Sequence, residues 1–392
     1  MIDINDIDND IDKFVLDLFT NAIKERASDI HIEAFIDFAK IRYRVDGILD
    51  EKLKIQRSQY EKLLIKIKLM SGMDISEKRR PQDASLKLEQ FHGIDIRVSS
   101  INTVNGEKLV LRILSFVEFQ KSSNLLGFND QSIRKIDGVL KSRDGMIIFS
   151  GPTGSGKSTS LYSLLNKLNT GYENIITVED PVEYKLLGIN QVAVNDKIGL
   201  NFSKALRAIL RQDPDIIMIG EIRDYETAQI AIRAAITGHL VLTTLHTKDA
   251  ISALVRLKDL GIENYLIRSA ISLLASQRLV RKLCTCKVES RMTDSEYELV
   301  KHFKDVARET RIYRANGCSK CKLGYLGREA VEEVIVVDRE FRQILKDEGD
   351  FSKEIIEKLK KDNFRSMLNN AIEKILEGKT SFEEILNVLD FS

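Results

Sequence analysis

The chain has 392 residues, with 60 Lys and Arg against 59 Asp and Glu, four Cys and no Trp. Its formal net charge of +1 gives no electrostatic footprint for nucleic acid. No uninterrupted apolar run approaches the ~18 residues of a membrane span, and the N-terminus is acidic rather than basic and apolar. A chain of this length is expected to form two or three domains. Composition therefore predicts a cytoplasmic globular protein that reaches a membrane only through partners.

The first 115 residues predict an α+β module. Apolar residues recur with a helical period over 13–26, and a second helix is expected at roughly 58–71. Alternating patterns predict strands at 30–32, 39–45, 85–90, 94–99 and 108–114. Residues 116–124 are predicted to be a linker, because 122–124 (Ser-Ser-Asn) are typical loop residues.

Residues 125–392 predict an α/β domain. Short apolar strands are expected at 146–150, 175–178, 216–219 and 240–244, with helices between them at about 157–169, 203–212 and 224–236. This alternation is typical of a parallel sheet with crossover helices and with ligands at the carboxyl ends of its strands. Beyond Ala250 a mainly helical region is expected, with a cysteine-bearing excursion at 284–321 and amphipathic helices near 355–359 and 367–376.

A phosphate-binding loop is the most informative motif. It consists of Gly151, Pro152, Thr153, Gly154, Ser155, Gly156, Lys157, Ser158 and Thr159. These residues fit the pattern G-x-x-x-x-G-K-[ST] between a predicted strand and a predicted helix. Backbone N–H groups at such a helix N-terminus form an anion nest. We therefore expect ATP to bind, with Lys157 on its β- and γ-phosphates and Ser158 on Mg²⁺.

Acidic residues and histidines follow or flank the other predicted strands. Glu221 ends one strand, where a carboxylate would support Mg²⁺ and its waters. Glu179 ends another, where a carboxylate would orient or deprotonate the attacking water. The alternative is that these acids are helix caps or surface ion pairs. His239 and His246 flank a third strand; they are either structural or placed to sense the γ-phosphate.

The four cysteines form two close pairs about thirty residues apart. They are Cys284, Cys286, Cys318 and Cys321. In a cytosolic protein this spacing favours a tetrahedral thiolate zinc site over disulfides, with reduced thiols or a redox pair as alternatives. The spacing of the first pair is one residue tighter than usual. The predicted role of Zn²⁺ is structural, since the excursion has little core of its own.

Ordered motifs run from about residue 20 to the C-terminus. They lie at 27–33 (ASDIHIE), 42–47, 79–83, 106–114, 151–159, 179–183, 210–224, 237–247 and 277–281. Together they resemble the secretion-traffic ATPases that drive type II secretion, type IV pilus assembly and bacterial competence machinery.

The resemblance implies a PAS-like N-terminal module followed by a RecA-like ATPase domain, assembled into a hexameric ring. It implies that Glu179 activates water, that Glu221 supports the metal, and that His239 and His246 lie near the γ-phosphate. Arg97 and Arg112 match arginines that are presented across a subunit interface to stabilise transition-state charge. The implied partner is an inner-membrane platform protein, and no nucleic acid is expected.

Two departures from the family pattern bear on these expectations. Many assembly members carry a further N-terminal docking domain, which is expected to be absent here because the chain begins close to the 27–33 motif. The cysteine set, although shortened at its first pair, favours assembly over retraction, since retraction-type relatives generally lack it. A retraction motor, a non-hydrolysing scaffold and a nucleic-acid translocase remain the alternatives. The scaffold is disfavoured because the residues a motor needs are intact: Lys157, Glu179, Glu221, Arg97 and Arg112.

Overall fold

The computed structural model describes residues 2–88, 90–115, 125–345 and 352–389, and the predicted linker at 116–124 lies outside these ranges. The chain divides into two units, Met1–Lys121 and Ser122–Ser392. No helix in the described ranges is both long and apolar enough to cross a membrane.

The N-terminal unit contains a six-stranded antiparallel sheet in the order β3-β2-β1-β6-β5-β4. Its strands are β1 (Ala27–Ala34), β2 (Phe38–Val45), β3 (Ile48–Gln56), β4 (Gln82–Lys87), β5 (Ile94–Thr103) and β6 (Gly106–Ser115). Its helices are α1 (Asp6–Asn9), α2 (Ile11–Lys24) and α3 (Arg57–Met70). The predicted α+β class of this unit is confirmed.

Strict alternation along β2 explains how this sheet is covered. Successive residues of β2 are alternately half-buried and buried, since side chains of a strand point to opposite faces in turn. The buried set joins apolar residues of α2 and α3 in one core. Within it, the hydroxyl of Tyr43 donates to the Leu18 carbonyl over 2.8 Å. One sheet face is therefore apolar, and the other is left for charged side chains.

The C-terminal unit contains a seven-stranded sheet in the order β15-β12-β7-β11-β10-β8-β9. Its strands are β7 (Gly145–Ser150), β8 (Ile175–Glu179), β9 (Asn190–Ala193), β10 (Ile216–Ile219), β11 (Leu240–Leu245), β12 (Ile271–Leu283) and β15 (Tyr325–Val336). Two further strands, β13 (Val288–Arg291) and β14 (Arg311–Arg314), form a separate two-stranded antiparallel sheet.

The helices of this unit connect and cover these strands. In chain order they are α4 (Asp130–Leu140), α5 (Lys157–Leu168), α6 (Phe202–Ile209), α7 (Tyr225–Ile236), α8 (Ser252–Asp259), α9 (Asn264–Ala270), α10 (Asp294–Phe303), α11 (Arg339–Ile344), α12 (Ser352–Lys361), α13 (Met367–Leu376) and α14 (Phe382–Val388). Several begin at side-chain caps: Asn201 accepts from the Lys204 N–H, and Asp224 accepts from the Thr227 N–H. Such caps satisfy amide groups that have no partner inside the helix.

The central strands of this sheet are parallel and fully buried. β7, β8, β10 and β11 pair in parallel, and all their residues are buried. A strand that is covered on both faces appears in the sequence as a continuous apolar run. These four strands could therefore be predicted from the sequence. The predicted parallel-sheet α/β fold with a helical C-terminal part is confirmed, and the carboxyl ends of the strands share one edge.

Two long strands beyond Ala250 were not anticipated. β12 pairs in parallel with β7 and antiparallel with β15, and so extends the sheet by two strands. Polar residues interrupt both strands, among them Gln277 in β12 and Glu332 in β15, although both are buried. Because their partners lie on distant elements, the apolar pattern along the chain gives no strand signal here.

Candidate nucleotide site

The phosphate-loop motif lies between β7 and α5. Gly156 caps α5 with a left-handed φ of 88°. Gly151 has a φ of 142°, and a Cβ there would lie 2.5 Å from the Gln277 carbonyl oxygen. Only glycine fits both the conformation and the space at these positions. The exposed residues Thr153, Gly154 and Ser158 border an N-terminal helix end that suits a phosphate group.

Gln277 braces this loop from β12. It is fully buried; its Nε2 donates to the Ser155 carbonyl over 2.6 Å, and its Oε1 accepts from the Ser160 hydroxyl over 2.9 Å. Sequence reasoning did not assign Gln277 a role. The only signal was its position at the start of the 277–281 motif. One side chain therefore ties the middle of the loop to the first turn of α5.

Lys157 is a buried cation without a carboxylate hydrogen bond in the described ranges. Its Nζ donates to the carbonyls of Gly151 (2.8 Å) and Pro152 (3.0 Å). Burial lowers the pKa of Lys157 to about 8, and the charge of Glu221 opposes that decrease. A desolvated ammonium that is bonded only to carbonyl dipoles gains strongly from an incoming phosphate.

Glu221 follows β10 and is surrounded by cations or potential cations. It pairs with Arg223, and its Oε2 lies 3.3 Å from His246 Nε2. Burial alone would raise the pKa of Glu221, but Arg223, His246 and Lys157 together hold it below its usual range. A carboxylate that stays ionised, together with the exposed hydroxyl of Ser158, provides the oxygen ligands that Mg²⁺ takes beside phosphate oxygens. The residues present fit a magnesium ion.

Glu179 ends β8, the strand next to β10, and is held by neutral donors instead. Thr177 Oγ1 donates to Oε1 over 2.5 Å, Gln191 Nε2 donates to the same oxygen over 3.1 Å, and the Tyr162 hydroxyl donates to Oε2. Burial raises the pKa of Glu179, and these three hydrogen bonds oppose part of the increase. Glu179 is only 4% exposed. The strand-end acid is therefore neither a helix cap nor a surface ion pair.

The two histidines lie at opposite edges of the sheet. His246 follows β11 and joins Glu221. His239 precedes the same strand, and its Nδ1 lies 3.0 Å from the Ala234 carbonyl near the end of α7. The structure brings His246, Lys157 and Glu221 together at one edge of this unit and leaves His239 at the other.

Arg97 and Arg112 belong to the N-terminal unit. They are directly opposite each other in the β5–β6 ladder, so their side chains leave the same face of that sheet. Arg112 Nε donates to Asp29 over 3.0 Å, while its side chain remains 57% exposed. The described geometry thus places two arginines at neighbouring positions on one face of the sheet.

The four cysteines converge despite the tight spacing of the first pair. All four Sγ atoms lie within 4.8 Å of one another. Three Sγ–Sγ pairs are 3.6, 3.7 and 3.9 Å apart, against an edge of about 3.8 Å for thiolates 2.3 Å from a tetrahedral Zn²⁺. The Cys318 N–H points at the Cys321 sulfur over 3.2 Å, a contact that suits a metal-bound thiolate. The donor set fits zinc.

Comparison with known proteins places these features in a family. The family model described as "Type II/IV secretion system protein" matches residues 5–387. The chain is 43% identical over 392 residues to Type II secretion system protein E of Aeromonas hydrophila, covering 98% of this chain and 77% of the relative. It is 42% identical over 384 residues to Type II secretion system ATPase E of Vibrio cholerae, covering 97% and 76%.

Solved structures agree on the fold. The Legionella pneumophila ATPase DotB superposes with a TM-score of 0.69 at 22% identity, covering 95% of this chain and 94% of that structure. The pilus retraction motor PilT with bound ADP superposes with a TM-score of 0.64 at 25% identity, covering 95% and 96%. Since the family match spans almost the entire sequence, this chain belongs to the Type II/IV secretion system protein family.

Proposed function

We propose that this chain is a Mg²⁺-dependent ATPase motor that powers assembly of a type II secretion pseudopilus or a related pilus. The observation that carries the proposal is the convergence of Lys157 and Glu221 on the glycine-built phosphate loop. The relatives named as type II secretion proteins, at 40–44% identity over at least 94% of this chain, support the type of machine.

The proposed chemistry divides between the loop and the strand ends. Lys157 leaves its two carbonyl partners to bind the β- and γ-phosphates, while the loop amides hold the remaining phosphate oxygens. Ser158 and Glu221 would hold Mg²⁺, which neutralises phosphate charge and orients the phosphates when bound. Arg223 and His246 keep Glu221 ionised for that task.

Glu179 is the proposed proton acceptor. As the water oxygen bonds to the γ-phosphorus, the bond from that phosphorus to the β,γ-bridging oxygen breaks, and ADP leaves with that oxygen. The water proton passes to the Glu179 carboxylate and then to solvent, so that the products are ADP, inorganic phosphate and one proton. Among the described residues, Glu179 fits this role because its partners are neutral donors rather than cations.

A homo-hexamer is the proposed assembly, with Arg97 and Arg112 of one copy directed at the nucleotide of the next. Their shared sheet face and the exposure of Arg112 support this. Guanidinium groups placed there would stabilise the charge that spreads over the equatorial phosphate oxygens. The proposed partner is an inner-membrane platform protein, which would hold the ring at the cytoplasmic face of the membrane. The proposed zinc ion would pin the excursion between β12 and β15.

A retraction motor is the second candidate, because a pilus retraction motor shares the fold over 95% of this chain. Both candidates require the same hydrolysis and differ in mechanical output. Loss of pili or of secretion on deletion of the gene supports assembly, whereas depolymerisation of pili on overexpression supports retraction.

The test is the steady-state ATPase rate per chain as a function of protein concentration, with Mg²⁺ and with the chelator EDTA. We expect the rate to rise cooperatively with concentration, since subunit contacts complete each site, and to vanish in Lys157→Ala and without Mg²⁺. Arg143→Ala, which removes an ion pair with Glu173 before the start of β7, at the end of that strand away from the loop, is the matched control and keeps the rate. A rate that stays near zero at every concentration, even with the platform protein added, would refute the motor.

A further inference from the structure

We infer that Tyr162 and Thr177 are positioning residues for the Glu179 carboxylate, which they hold in one orientation and keep in its proton-accepting form. This inference rests on the proposed function and deepens it, because it concerns how the proposed base is prepared for its water. Neither residue belongs to the motifs that predicted the site.

Three hydrogen-bond donors, from three secondary-structure elements, form a cradle around the Glu179 carboxylate. Tyr162 stands on α5, five positions after Lys157; Thr177 lies on β8 itself, and Gln191 lies on the edge strand β9. All three donate to the same carboxylate. Within the described residues, no Lys or Arg forms an ion pair with it. Its orientation is therefore set by directed hydrogen bonds alone.

The count of hydrogen bonds leaves room for one more donor. An ionised carboxylate has about four acceptor positions, and the cradle fills three of them. The position that remains is where a water O–H can donate to Glu179, which is the contact that a general base needs before it accepts the proton. With fewer donors, the carboxylate group would rotate about its bond to the side chain. The free acceptor position would then face the water only part of the time.

The surrounding charges make the donors necessary. Burial disfavours the ionised form of Glu179, and the nearby Glu183 carboxylate disfavours it further. Tyr162, Thr177 and Gln191 act in the opposite direction by bonding to the anion. Tyr162 cannot compete as an acid, because burial and the Glu179 charge raise the pKa of its hydroxyl far above the physiological range.

A purely structural role would satisfy the same hydrogen bonds, and the experiment must separate the two. Tyr162 also accepts from the Glu183 N–H over 3.2 Å and packs edge-on against Tyr184. Gln191 binds the 184–186 loop through two more hydrogen bonds, so its substitution would disturb more than Glu179. Tyr162→Phe and Thr177→Val each remove one donor with little change of shape, and they do so from different elements.

The measurement is the pH dependence of kcat for the full chain, with the platform protein added if the wild type needs it. Loss of one donor raises the pKa of Glu179, so we expect the acid limb to move up by about one pH unit in each variant. At pH values below the pKa of Glu179, kcat of each variant is then about tenfold lower than that of the wild type, while the affinity for MgADP is unchanged. Tyr43→Phe is the matched control: it removes a buried hydroxyl bond in the other unit and should lower Tm without moving the limb.

Each outcome decides one statement. An unmoved acid limb in both variants, with Glu179→Gln inactive, overturns the inference and leaves the proposed function standing. A shift in only one variant restricts the positioning role to that residue. Wild-type kcat in Glu179→Gln removes Glu179 as the base, so that the proposed mechanism fails at that residue and the inference fails with it.

Discussion

Two glutamates end neighbouring strands of the same sheet, and their surroundings differ in kind. Glu179 at the end of β8 is enclosed by neutral donors, and its pKa is raised chiefly by burial. Glu221 after β10 is flanked by Arg223, His246 and Lys157, which hold its pKa low. A group that must accept a proton benefits from a raised pKa, whereas a ligand for a cation must remain ionised. The difference teaches that a carboxylate at the carboxyl end of a strand does not have its role decided by that position. The groups that surround it decide whether it suits proton transfer or cation binding.

Glu179→Gln gives the largest expected effect and can break this comparison. Removing a general base costs roughly 10²–10⁴ in kcat, and the amide cannot take the water proton. We expect kcat to fall by about a thousandfold with unchanged MgADP affinity, measured by steady-state kinetics and calorimetry. If the variant instead loses Mg²⁺ affinity, the two glutamates do not divide their roles as described.

Glu221→Gln sharpens the comparison from the other side. The amide carries no charge for a cation, so we expect half-saturation by Mg²⁺ to require about tenfold to a hundredfold more metal. ATPase titrations with MgCl₂ at fixed ATP measure this. High Mg²⁺ should recover part of the rate, whereas no Mg²⁺ concentration rescues Glu179→Gln; equal behaviour of the two variants would contradict the division.

Lys157→Met tests whether Glu221 offsets the buried cation beside it. The pKa of Lys157 is lowered to about 8 by burial, so its charge destabilises the nucleotide-free fold. We expect the variant to be about 2 kcal/mol more stable at pH 7, after the loss of its hydrogen bonds to carbonyls. Chemical denaturation without nucleotide measures this, and a less stable variant would show that Glu221 and the carbonyls fully compensate the charge.

The pH dependence of the stability difference between Lys157→Met and the wild type provides the control for this prediction. At pH 7 the lysine is charged in both the folded and the unfolded chain, and the destabilisation is fully present. As pH rises through the folded pKa of about 8, the folded state loses the charge first, so the wild type regains stability. The gain from Lys157→Met should therefore shrink between pH 8 and about 10.5. A gain that does not change over this range would point to packing rather than charge.

The sequence predicted what depends on neighbours in the chain. The loop from Gly151 to Ser158 lies where its strand–loop–helix context indicated, and the central strands are apolar enough to be recognised individually. The two cysteine pairs also met as their spacing indicated. In each case the signal was local: a periodicity, a turn residue or a short spacing.

What the sequence did not predict depends on contacts between distant positions. Gln277 donates a hydrogen bond to Ser155, which is 122 residues away in the chain. No sequence pattern at either position predicts this bond. Tyr162 reads as one apolar residue of a helix until the sheet places Glu179 against its hydroxyl. His239 differs, because its place was derivable: six residues of β11 separate it from His246, which is about 20 Å of extended chain.

β12 links the phosphate loop to the cysteine cluster through one strand. This strand carries Gln277, which donates to the Ser155 carbonyl of the phosphate loop, and it ends at Leu283, directly before Cys284; its pairing with β15 shifts register between Arg281 and Leu283. The Gln277 contact and the first cysteine are therefore separated by roughly 20 Å of extended chain. Co²⁺ bound by the cysteines absorbs visible light, and a change in that absorption on nucleotide binding would show that a displacement of the loop reaches the cluster.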